Sequence, residues 1–514
     1  MKKILRLLAI ETSCDETAAA VLEFNVAAAK SFRSSKGAKE DAYPRHITPL
    51  SSVVASQVLL HKKFGGVYPE MASRAHSQKI LPVVSEALWQ AGVMIHDSRF
   101  KNQKVSLRGA NSPKQSGPLL SSRACRGIPS TLSKTRSLRM TPVCHLSPLI
   151  SNKVDAIAVT TGPGLVGSLI VGVEFARGLS AATGITVVPV NHLEGHIYAA
   201  TGGVNNKLQK PNSKQISNSK YQNPNQTTDD QLLTTAEFPI LALVVSGGHT
   251  ILVHMRKHLG YKVIGSTLDD AAGESFDKVA RMLRLPYPGG PALEKLARNG
   301  NPKAYDFPRS MLHSNDFNFS FSGLKTAVFY KLRSLGLVNT RAEPIPPPVR
   351  ELKLARDNPN SSSPPARELG IAQGNASHFS PPARGGARGC GRGYPQPSAL
   401  TSAIIRDTAA SFQQAVIDVL VAKTLKAAAE LGVKSIFVGG GVIANSALRD
   451  AFQDPHKLPL GKGESKRGFK VYLSPKELAT DNALSIGIAG AYHFARGHTI
   501  PWQELDASAS QNLA

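Results

Sequence analysis

The sequence predicts an α/β fold in which helices are layered against mixed or parallel sheets, with two similar halves. Apolar strand-like runs alternate with helical segments along the chain, a pattern typical of such layers. Three of the apolar runs end at tight polar or glycine turns, and polar blocks separate the well-patterned segments. The chain has no short-period repeat, which argues against a solenoid.

Each predicted element follows from its local pattern. Short runs of aliphatic residues bounded by turn residues are typical of buried strands. In chain order the predicted strands are Leu5–Ile10, Val154–Thr160, Val187–Val190, Ile240–Val245 and Ser435–Val438. Longer apolar segments predict helices at about 167–182, at about 407–431 and after Thr480.

Four blocks rich in Ser, Pro, Asn and Arg interrupt this pattern, at about 26–48, 98–150, 203–236 and 337–400. They lack the apolar periodicity that would offset the entropy of ordering them, so we interpret them as low-complexity insertions in loops. We therefore expect an N-terminal lobe at 1–190, a C-terminal lobe at 191–479, and a C-terminal helix at 480–514 that packs back on the first lobe.

Composition excludes several classes of protein. The chain of 514 residues has a formal net charge of +25, but most of that charge lies in the polar blocks, so it says little about an RNA partner. Four cysteines without a C-x-x-C pair do not form a disulfide framework. We expect a cytoplasmic protein without a membrane segment, because the apolar regions are short or interrupted by charges.

The turn after the first strand carries acidic and hydroxyl side chains, Glu11-Thr12-Ser13-Cys14-Asp15-Glu16-Thr17. Its hydroxyls and amides can approach a phosphate, while Asp15 and Glu16 can act as acid/base groups or hold a cation. The alternative is an acidic hairpin turn without a chemical role.

Two glycine turns follow later strands. Ser246-Gly247-Gly248-His249-Thr250 indicates either a hairpin or a backbone that contacts a ligand. Gly439-Gly440-Gly441 leads through Asn445 into a helix, and a strand, a glycine turn and a helix start together form a ready nucleotide site. The chain lacks a Walker loop and a G-x-G-x-x-G fingerprint, which disfavours P-loop and Rossmann folds.

His192 and His196 indicate a metal site, because histidines four residues apart lie on one face of a helix. Leu193 stands where a zinc protease would carry glutamate, so proteolysis is disfavoured. Asp481 is the best third ligand late in the chain, with helix N-cap as its alternative role. Two imidazoles and a carboxylate suit iron or zinc better than magnesium.

A further acidic run contains Asp269, Asp270, Glu274 and Asp277. Such a run is usually a solvated helix face. Asp277 lies beside Phe276 and two alanines, so it can instead face a pocket and bind a ribose hydroxyl or an amino acid.

Together these motifs resemble one family, the tRNA threonylcarbamoyl-adenosine transferases that are called TsaD in bacteria and were once described as glycoproteases. The matching segments are Ile10–Thr17, Val67–His76, Gly162–Gly172, Asn191–His196, Val244–Thr250, Asp269–Lys278, Tyr287–Pro291, Phe319–Lys325, Gly439–Asn445 and Thr480–Asn482. They occur in family order and cover nearly the whole chain outside the inserts. His249 stands where archaeal and eukaryotic cytosolic relatives typically carry asparagine, which indicates the bacterial and organellar branch.

The resemblance implies the two-lobed ATPase fold of actin, heat-shock chaperones and sugar kinases, with a ligand cleft between the lobes. It implies one Fe²⁺ ion per subunit, or Zn²⁺, held by His192, His196 and Asp481. The substrate-binding residues that it implies are Val244, Val245, Ser246, Gly247, Gly248, Asp277, Gly290 and Asn445, with Glu294 near by. Asp15 and His249 are the candidates for the catalytic base.

The activity implied by the resemblance is transfer of a threonylcarbamoyl group from threonylcarbamoyl-adenylate to N6 of adenosine 37, in tRNAs reading codons that begin with A. The implied partners are tRNA, a degenerate paralogue subunit and a small P-loop ATPase. Two alternatives stay open. An ATP-dependent kinase of the same fold would leave the paired histidines without a role, and a non-catalytic RNA-binding or assembly subunit should lack some of the ligand residues that are present.

Overall fold

The computed structural model describes residues 4–26, 43–94, 150, 153–201, 236–337, 399–453 and 468–513. Within these ranges the chain is mixed α/β with two five-stranded sheets. The four predicted insertions lie for the most part outside the described residues, as do Cys125, Cys144 and Cys390.

The first sheet contains β1 (Ile4–Glu11), β2 (Glu16–Val26), β3 (Pro44–Ser56), β4 (Ala156–Gly162) and β5 (Thr186–Asn191). Its order is β3-β2-β1-β4-β5. The first three strands pair antiparallel, whereas β1, β4 and β5 run parallel.

The second sheet contains β6 (Ile240–Val245), β7 (Thr250–Lys257), β8 (Gly260–Ser266), β9 (Ser435–Gly439) and β10 (Lys470–Leu473). Its order is β10-β9-β6-β7-β8, with antiparallel pairs on the β8 side and parallel pairs on the β10 side. The two sheets therefore have the same topology.

The helices connect and cover the strands. In chain order they are α1 (Val58–His61), α2 (Pro69–Gln90), α3 (Val166–Thr183), α4 (His192–Ala199), α5 (Ala272–Met282), α6 (Gly289–Ala297), α7 (Ser322–Ser334), α8 (Ala399–Glu430), α9 (Ser446–Gln453), α10 (Lys476–Ala479) and α11 (Ala483–Ala495). Short 3-10 helices occupy Lys62–Phe64, Gly441–Ala444 and Trp502–Glu504.

Helices bury both faces of the first sheet. Along β1 the side chains alternate, so that Leu8 and Ile10 join a core under α2 and α3, while Leu7 and Ala9 face α11. A strand that is covered on both sides must be apolar at almost every position, which explains the continuous apolar run in the sequence.

Helix α4 lies between the two sheets, and all of its residues are buried. Tyr198 belongs to the core of the first sheet, whereas Leu193 and Ile197 pack with Val244 in a core of the second sheet. The candidate metal ligands of α4 are thus held by both halves of the molecule.

Most predicted elements agree with the structure, and the differences lie at their ends. Residues 44–48 belong to β3 and not to an insertion, because Ile47 packs against a core that β2 also lines. The helix predicted from about 407 begins at Ala399. The C-terminal helix occupies only Ala483–Ala495 of the segment 480–514, and it packs against the first sheet.

Among the described residues, none of the helices combines the length and the hydropathy that a bilayer crossing requires.

Candidate active site

A capping box starts α4 at the first candidate ligand. The Asn191 Oδ1 atom accepts a hydrogen bond from the Leu193 amide at 2.9 Å, and the Glu194 carboxylate accepts one from the Asn191 amide at 3.2 Å. His192 and His196 therefore lie one helical turn apart, with ring centroids separated by 4.6 Å. Because Glu194 also accepts a hydrogen bond from His493 Nε2 at 2.8 Å, its carboxylate is engaged away from the imidazoles.

Asp481 meets these two rings from the turn before α11. Its Oδ1 atom lies 3.6 Å from His192 Nε2 and 3.4 Å from His196 Nε2. The N-cap of α11 is Asn482, whose Oδ1 accepts from the Ser485 amide at 2.9 Å. The capping role considered for Asp481 is thus filled by its neighbour, and the aspartate is left to face the histidines.

The three side chains fit a divalent transition metal ion. One ligand atom from each lies within 4.8 Å of the others, and ligands at about 2.1 Å from a tetrahedral ion are roughly 3.4 Å apart. The Nε2 atom of His196 is buried and has no hydrogen-bond partner among the described residues, so a bound ion would satisfy it. Two nitrogen donors and one oxygen donor suit iron or zinc.

Glu11, at the end of β1, holds the far side of the His192 ring. It is fully buried, and its Oε2 atom lies 3.2 Å from His192 Nδ1 and accepts from Thr160 Oγ1 at 2.7 Å. The Ser13 hydroxyl lies 3.1 Å from the same ring nitrogen. A carboxylate behind a metal-binding histidine fixes the ring orientation and makes the ring a stronger ligand.

The charges of this cluster stabilise one another. Burial lowers the pKa of His192, but the charges of Asp481 and Glu11 outweigh burial and raise it to about 9. Burial raises the pKa of Asp481, and the histidines outweigh it and lower it to about 2. The pKa of Glu11 is likewise lowered, because His192 overcomes the cost of burial.

The structure brings the acidic turn close to these ligands. Asp15 is buried, and its carbonyl accepts from the Gln57 amide at 2.9 Å. Burial, followed by the charges of Asp15 and Asp481, raises the pKa of Glu16 to about 10. An acidic side chain in this turn is therefore near enough to Asp481 to respond to its charge.

His249 lies in the turn after β6. Burial, followed by the charges of His192 and His196, lowers its pKa to about 4. The ring is therefore neutral near pH 7 and can accept a proton.

The turn from Ser246 to His249 presents backbone and not large side chains. The Ser246 hydroxyl accepts from the His249 amide at 3.1 Å, and the Ser246 amide donates to the His249 carbonyl at 2.8 Å. Gly247 and Gly248 are exposed, and a Cβ atom at either would meet no atom within 4 Å. The side chains of Val244 and Val245 are fully buried in two different cores, so only their backbone is available to a ligand.

Two glycines at the end of β9 bring this turn and α4 together. A Cβ atom on Gly439 would lie 2.0 Å from the His196 carbonyl oxygen. Gly440 has a φ of +96°, and a Cβ atom there would lie 2.3 Å from the Val245 carbonyl oxygen. Only glycine allows these backbones to approach so closely.

Asp277 and Gly290 lie where α5 meets the start of α6. The Asp277 Oδ1 atom accepts from the Gly289 amide at 2.8 Å. Burial raises the pKa of Asp277, and the Asp15 charge adds to that effect, although hydrogen bonds from the Gly289 and Gly290 amides oppose it. The Asp15 contribution shows that this corner is electrostatically connected to the acidic turn.

Asn445 and Glu294 together cap α9. The Asn445 Oδ1 atom accepts from the Leu448 amide at 3.1 Å, and its Nδ2 donates to Gln413 Oε1 at 2.8 Å. Glu294 accepts from the Ser446 amide at 3.2 Å and pairs with Arg298 at 2.9 Å. Both side chains therefore have structural partners, which limits the groups they can offer to a ligand.

Comparison with known proteins identifies the family. The family model described as "TsaD: tRNA N6-adenosine threonylcarbamoyltransferase" matches residues 48–99, 143–217 and 226–488. The chain belongs to the TsaD family.

Curated relatives match the chain over nearly its full length. A tRNA N6-adenosine threonylcarbamoyltransferase of Moorella thermoacetica is 36% identical over 498 residues, which are 96% of this chain and 94% of the relative. A Bacillus subtilis protein of the same name is 34% identical over 496 residues, which are 96% of this chain and 92% of the relative.

Two solved structures resemble the chain more distantly. HypF of T.kodakarensis is 11% identical with a TM-score of 0.35, covering 67% of this chain and 40% of its own. YeaZ from Pseudomonas aeruginosa is 16% identical with a TM-score of 0.21, covering 51% of this chain and 65% of its own.

Two acidic residues of the TsaD motif at 269–278 have structural roles. Asp269 accepts from the Phe321 amide at 2.8 Å and from the Ser320 hydroxyl at 2.6 Å. Asp270 forms ion pairs with Lys278 at 2.7 Å and with Lys325 at 2.8 Å. These carboxylates fix the start of α7 to the loop before α5, and of this acidic run only Asp277 is held beside a glycine turn.

Glu11 and Ser13 lie against His192 and were not predicted as its partners, although both belong to the TsaD motif Ile10–Thr17. The available signal was a glutamate directly after an apolar strand, in a turn that already contained two acids. What identifies Glu11 is its complete burial, which requires a partner.

Proposed function

We propose that this chain transfers the threonylcarbamoyl group from threonylcarbamoyl-adenylate to N6 of adenosine 37, in tRNAs that read codons beginning with A, and releases AMP. The observation that carries the proposal is the convergence of His192, His196 and Asp481 beside the glycine turn after β6. This convergence occurs in a chain that transferase relatives match over 96% of its length.

The fold that we propose for this activity is the two-lobed architecture of actin-like ATPases. The identical topology of the two sheets supports it. The candidate residues also follow the carboxyl ends of strands: Glu11 ends β1, His192 follows β5, Ser246 follows β6 and Gly440 follows β9. Ligands of α/β proteins bind at such strand ends.

The cofactor that we propose is one Fe²⁺ ion per subunit, with Zn²⁺ as the alternative, held by His192, His196 and Asp481. Such an ion polarises a carbonyl-type oxygen and stabilises the negative charge that develops on it. Glu11 would keep the His192 ring in the orientation that presents Nε2 to the ion.

The remaining residues would bind the adenylate. Gly247 and Gly248 can bring backbone amides to its phosphate, because no Cβ atom stands in the way. Asp277 and Gly290 would bind a hydroxyl group of the ligand, and Asn445 lies on the second sheet's side of the site.

The transfer needs no reactant besides the adenylate and the tRNA. The N6 amine forms a bond with the carbamoyl carbon, the bond from that carbon to the phosphate oxygen breaks, and AMP leaves with the electron pair. The amine proton goes to Asp15 or to His249. The His249 ring is neutral near pH 7, but its lowered pKa makes it a weak base, and Asp15 is the buried carboxylate that would otherwise take the proton.

The partners that we propose are tRNA, a degenerate paralogue subunit and a small P-loop ATPase, in the cytoplasm. They come from the family resemblance. Glycine turns without a Walker loop agree with a chain that uses an adenylate made by another enzyme.

Release of AMP tests this function. The full chain, with its partner proteins and threonylcarbamoyl-adenylate, is incubated with a tRNA transcript carrying adenosine 37 or with the same transcript carrying guanosine there. We expect AMP release in excess of spontaneous hydrolysis only with adenosine 37. The Asp481→Asn variant should lose it, whereas Asp306→Asn, at a fully exposed surface position, should keep it. Equal release with both transcripts, or ATP-dependent phosphorylation without tRNA, would contradict the proposal.

A further inference from the structure

The described residues continue beyond α11. After the 3-10 helix Trp502–Glu504, residues 506–513 form a tail segment without helix or strand that lies across the turn following β4. The Ser508 amide donates to the Thr161 carbonyl at 2.8 Å, and the Gly164 amide donates to the Ala509 carbonyl at 3.2 Å. At Gly162 the contact is so close that a Cβ atom would lie 2.0 Å from the Ser508 carbonyl oxygen.

The tail segment then reaches the cap of α4. The Asn191 Nδ2 atom donates to the carbonyl oxygens of Gln511 and Asn512 at 3.3 and 3.2 Å. The Gln511 side chain accepts from the Thr161 hydroxyl at 3.0 Å. These bonds connect the turn after β4, the tail segment and the first residue before the metal-binding helix.

These bonds decide which way the Asn191 amide points. A cap of α4 requires the oxygen of the amide to face the Leu193 amide, while its nitrogen must find acceptors elsewhere. Two backbone carbonyls can only accept, so the tail segment holds the nitrogen end and fixes the oxygen end towards the helix.

A second contact is apolar. Leu513 packs against the core that contains Leu193 and Ile197, the α4 residues that alternate with the two histidines along the helix. The tail segment thus touches α4 at its cap and along its apolar face, and it approaches from the first sheet's side of the molecule.

We propose that the tail segment is a positioning element of the metal site. It sets the first turn of α4 through Asn191 and Leu193, and so fixes the spacing of the imidazoles of His192 and His196 with respect to Asp481. The inference rests on the metal site of the proposed function, but it concerns residues that do not touch the ion or the substrate.

Cobalt binding tests the proposal without depending on catalysis. Metal-free full chain and a variant lacking residues 508–514 are titrated with Co²⁺, whose visible absorption reports the number and geometry of its ligands. We expect the full chain to bind one Co²⁺ ion with a defined spectrum. The shortened chain should bind roughly tenfold more weakly or worse, as when an outer partner of a metal ligand is lost, and with altered bands. A synthetic peptide of residues 506–514, added to the shortened chain, should restore the spectrum.

A single substitution covers the case in which the shortened chain does not fold. Asn191→Asp keeps an oxygen that can cap α4 but removes the donor that binds the tail carbonyls. We expect faster amide hydrogen exchange at Ser508 and weaker Co²⁺ binding than in the parent. Asn318→Asp is the matched control, since it keeps an oxygen for the Ser266 amide and loses a donor to Asp316 in the same way. Among the described residues Asn318 contacts neither the tail segment nor the metal ligands, so this variant should bind Co²⁺ like the parent.

The outcomes separate two failures. Unchanged Co²⁺ affinity and spectrum in a folded shortened chain, together with unchanged binding by Asn191→Asp, would overturn the role of the tail segment and leave the metal site standing. A full chain that binds no Co²⁺ at all would overturn the metal site and this inference with it.

Discussion

Glu11 is a charged residue in a place where an isolated carboxylate would not stay ionised. Its side chain is completely buried, yet its pKa is lowered, because the cost of burial is outweighed by the His192 ring and a hydrogen bond from Thr160. The same ring is held by Asp481 from the other side. At the scale of single residues, the site is a set of buried charges that depend on each other.

Removing the Glu11 charge should lower the metal affinity of the chain, with a smaller effect on its free energy of unfolding. In Glu11→Gln the amide cannot stabilise a positively polarised His192 ring, and losses of about 10- to 100-fold in metal affinity are typical for outer partners of this kind. Titration with Zn²⁺ or Co²⁺ measures the change. Glu23→Gln, at the partly exposed ion pair with Arg6, is the control and should bind like the parent. Equal affinity in all three proteins would contradict the role of Glu11.

The metal-free chain should lose stability as the pH rises. The pKa of His192 is raised from 6.5 to about 9 in the folded protein by Asp481 and Glu11, against the effect of burial. The stabilisation from the protonated ring is therefore complete below about pH 6.5 and is lost as the pH rises through about 9. Thermal unfolding of the metal-free parent and of His192→Gln, followed across this range, should show a difference in Tm that narrows with pH. A difference in Tm that stays constant or widens as the pH rises would contradict the stabilising role of the protonated His192 ring.

The proposed substrate-binding role of Asp277 can be tested separately from metal binding. Its carboxylate contacts the Gly289 amide at the corner between α5 and α6, and none of the metal ligands is among its partners. Asp277→Asn should raise the KM for threonylcarbamoyl-adenylate by about tenfold, the effect of one charge-assisted hydrogen bond, while metal content stays the same. Glu274→Gln, on the same helix, is the control. Loss of metal with an unchanged KM would assign Asp277 to metal binding and not to substrate binding.

Contacts between side chains could be predicted from sequence where spacing alone determines geometry. Two histidines four residues apart meet on any helix, so His192 and His196 followed from the pattern. The buried partners could not be predicted in this way, because Glu11 and Thr160 are 149 residues apart and meet only through the pairing of β1 with β4.

Among the elements, α4 depends on glycines for its position. Gly439 at the end of β9 touches the carbonyl of His196, and Gly440 touches the carbonyl of Val245. These contacts connect α4 directly to the strand pair β9 and β6, so the glycine run has a packing role in addition to any contact with a nucleotide.

An alanine at 439 should disturb the metal site, whereas one at 441 should not. In Gly439→Ala the added methyl group would overlap the His196 carbonyl, and such strain costs about 1–3 kcal/mol. Gly441→Ala is the matched control, since a Cβ atom there meets nothing within 4 Å. Urea unfolding and Zn²⁺ titration should show lower stability and lower affinity for the first variant alone. Equal behaviour of the two variants would exclude this packing role.

The sequence predicted five strands and three helices, but it did not predict the other described strands, β2, β3, β7, β8 and β10. The strand at Ile240–Val245 has the predicted bounds because a glycine turn stops it. Residues 44–48 and 399–400 were assigned to insertions and residues 401–406 to no element, because their apolar patterns are weaker. Pairing with β2 and packing of Ile405 in the second half's core order these segments. Such long-range contacts override local preference.

At the scale of the whole molecule, the two sheets repeat one topology and meet around α4. The chain segments that border the undescribed range 95–149 return to one place: Val93, Met94 and Ile150 belong to the same buried core, and Lys153 Nζ donates to the Val93 carbonyl at 2.8 Å. Both ends of this segment therefore lie close together, at the core of the first sheet.

Residues 98–148 should therefore be dispensable. In a variant with a short Gly/Ser linker in their place, the free energy of unfolding should stay within about 1 kcal/mol of the parent value, because loop length changes closure entropy only slowly. Its metal content and AMP release should also be unchanged. Unfolding in urea measures the free energy of unfolding, and the tRNA-dependent assay measures AMP release. A shortened chain that folds but loses activity would show that this segment contributes to function, contrary to its interpretation as an insertion.

Overall architecture was predicted in its coarse form only. Alternating strands and helices indicate an α/β chain, and the polar blocks divide it, but the equivalence of the two sheets depends on strand order. Strand order is set by which apolar faces pack together, and single-chain patterns do not carry that information.

In the function that we propose, His192, His196 and Asp481 hold a metal at which a threonylcarbamoyl group is transferred to tRNA. The most direct measurement supplies labelled threonylcarbamoyl-adenylate, the partner proteins and a transcript that reads codons beginning with A, and compares the parent with the His192→Ala/His196→Ala variant. We expect label on adenosine 37 with the parent and none with the variant, while both remain folded. Equal labelling by both proteins, or no labelling by a metal-loaded parent, would contradict the account.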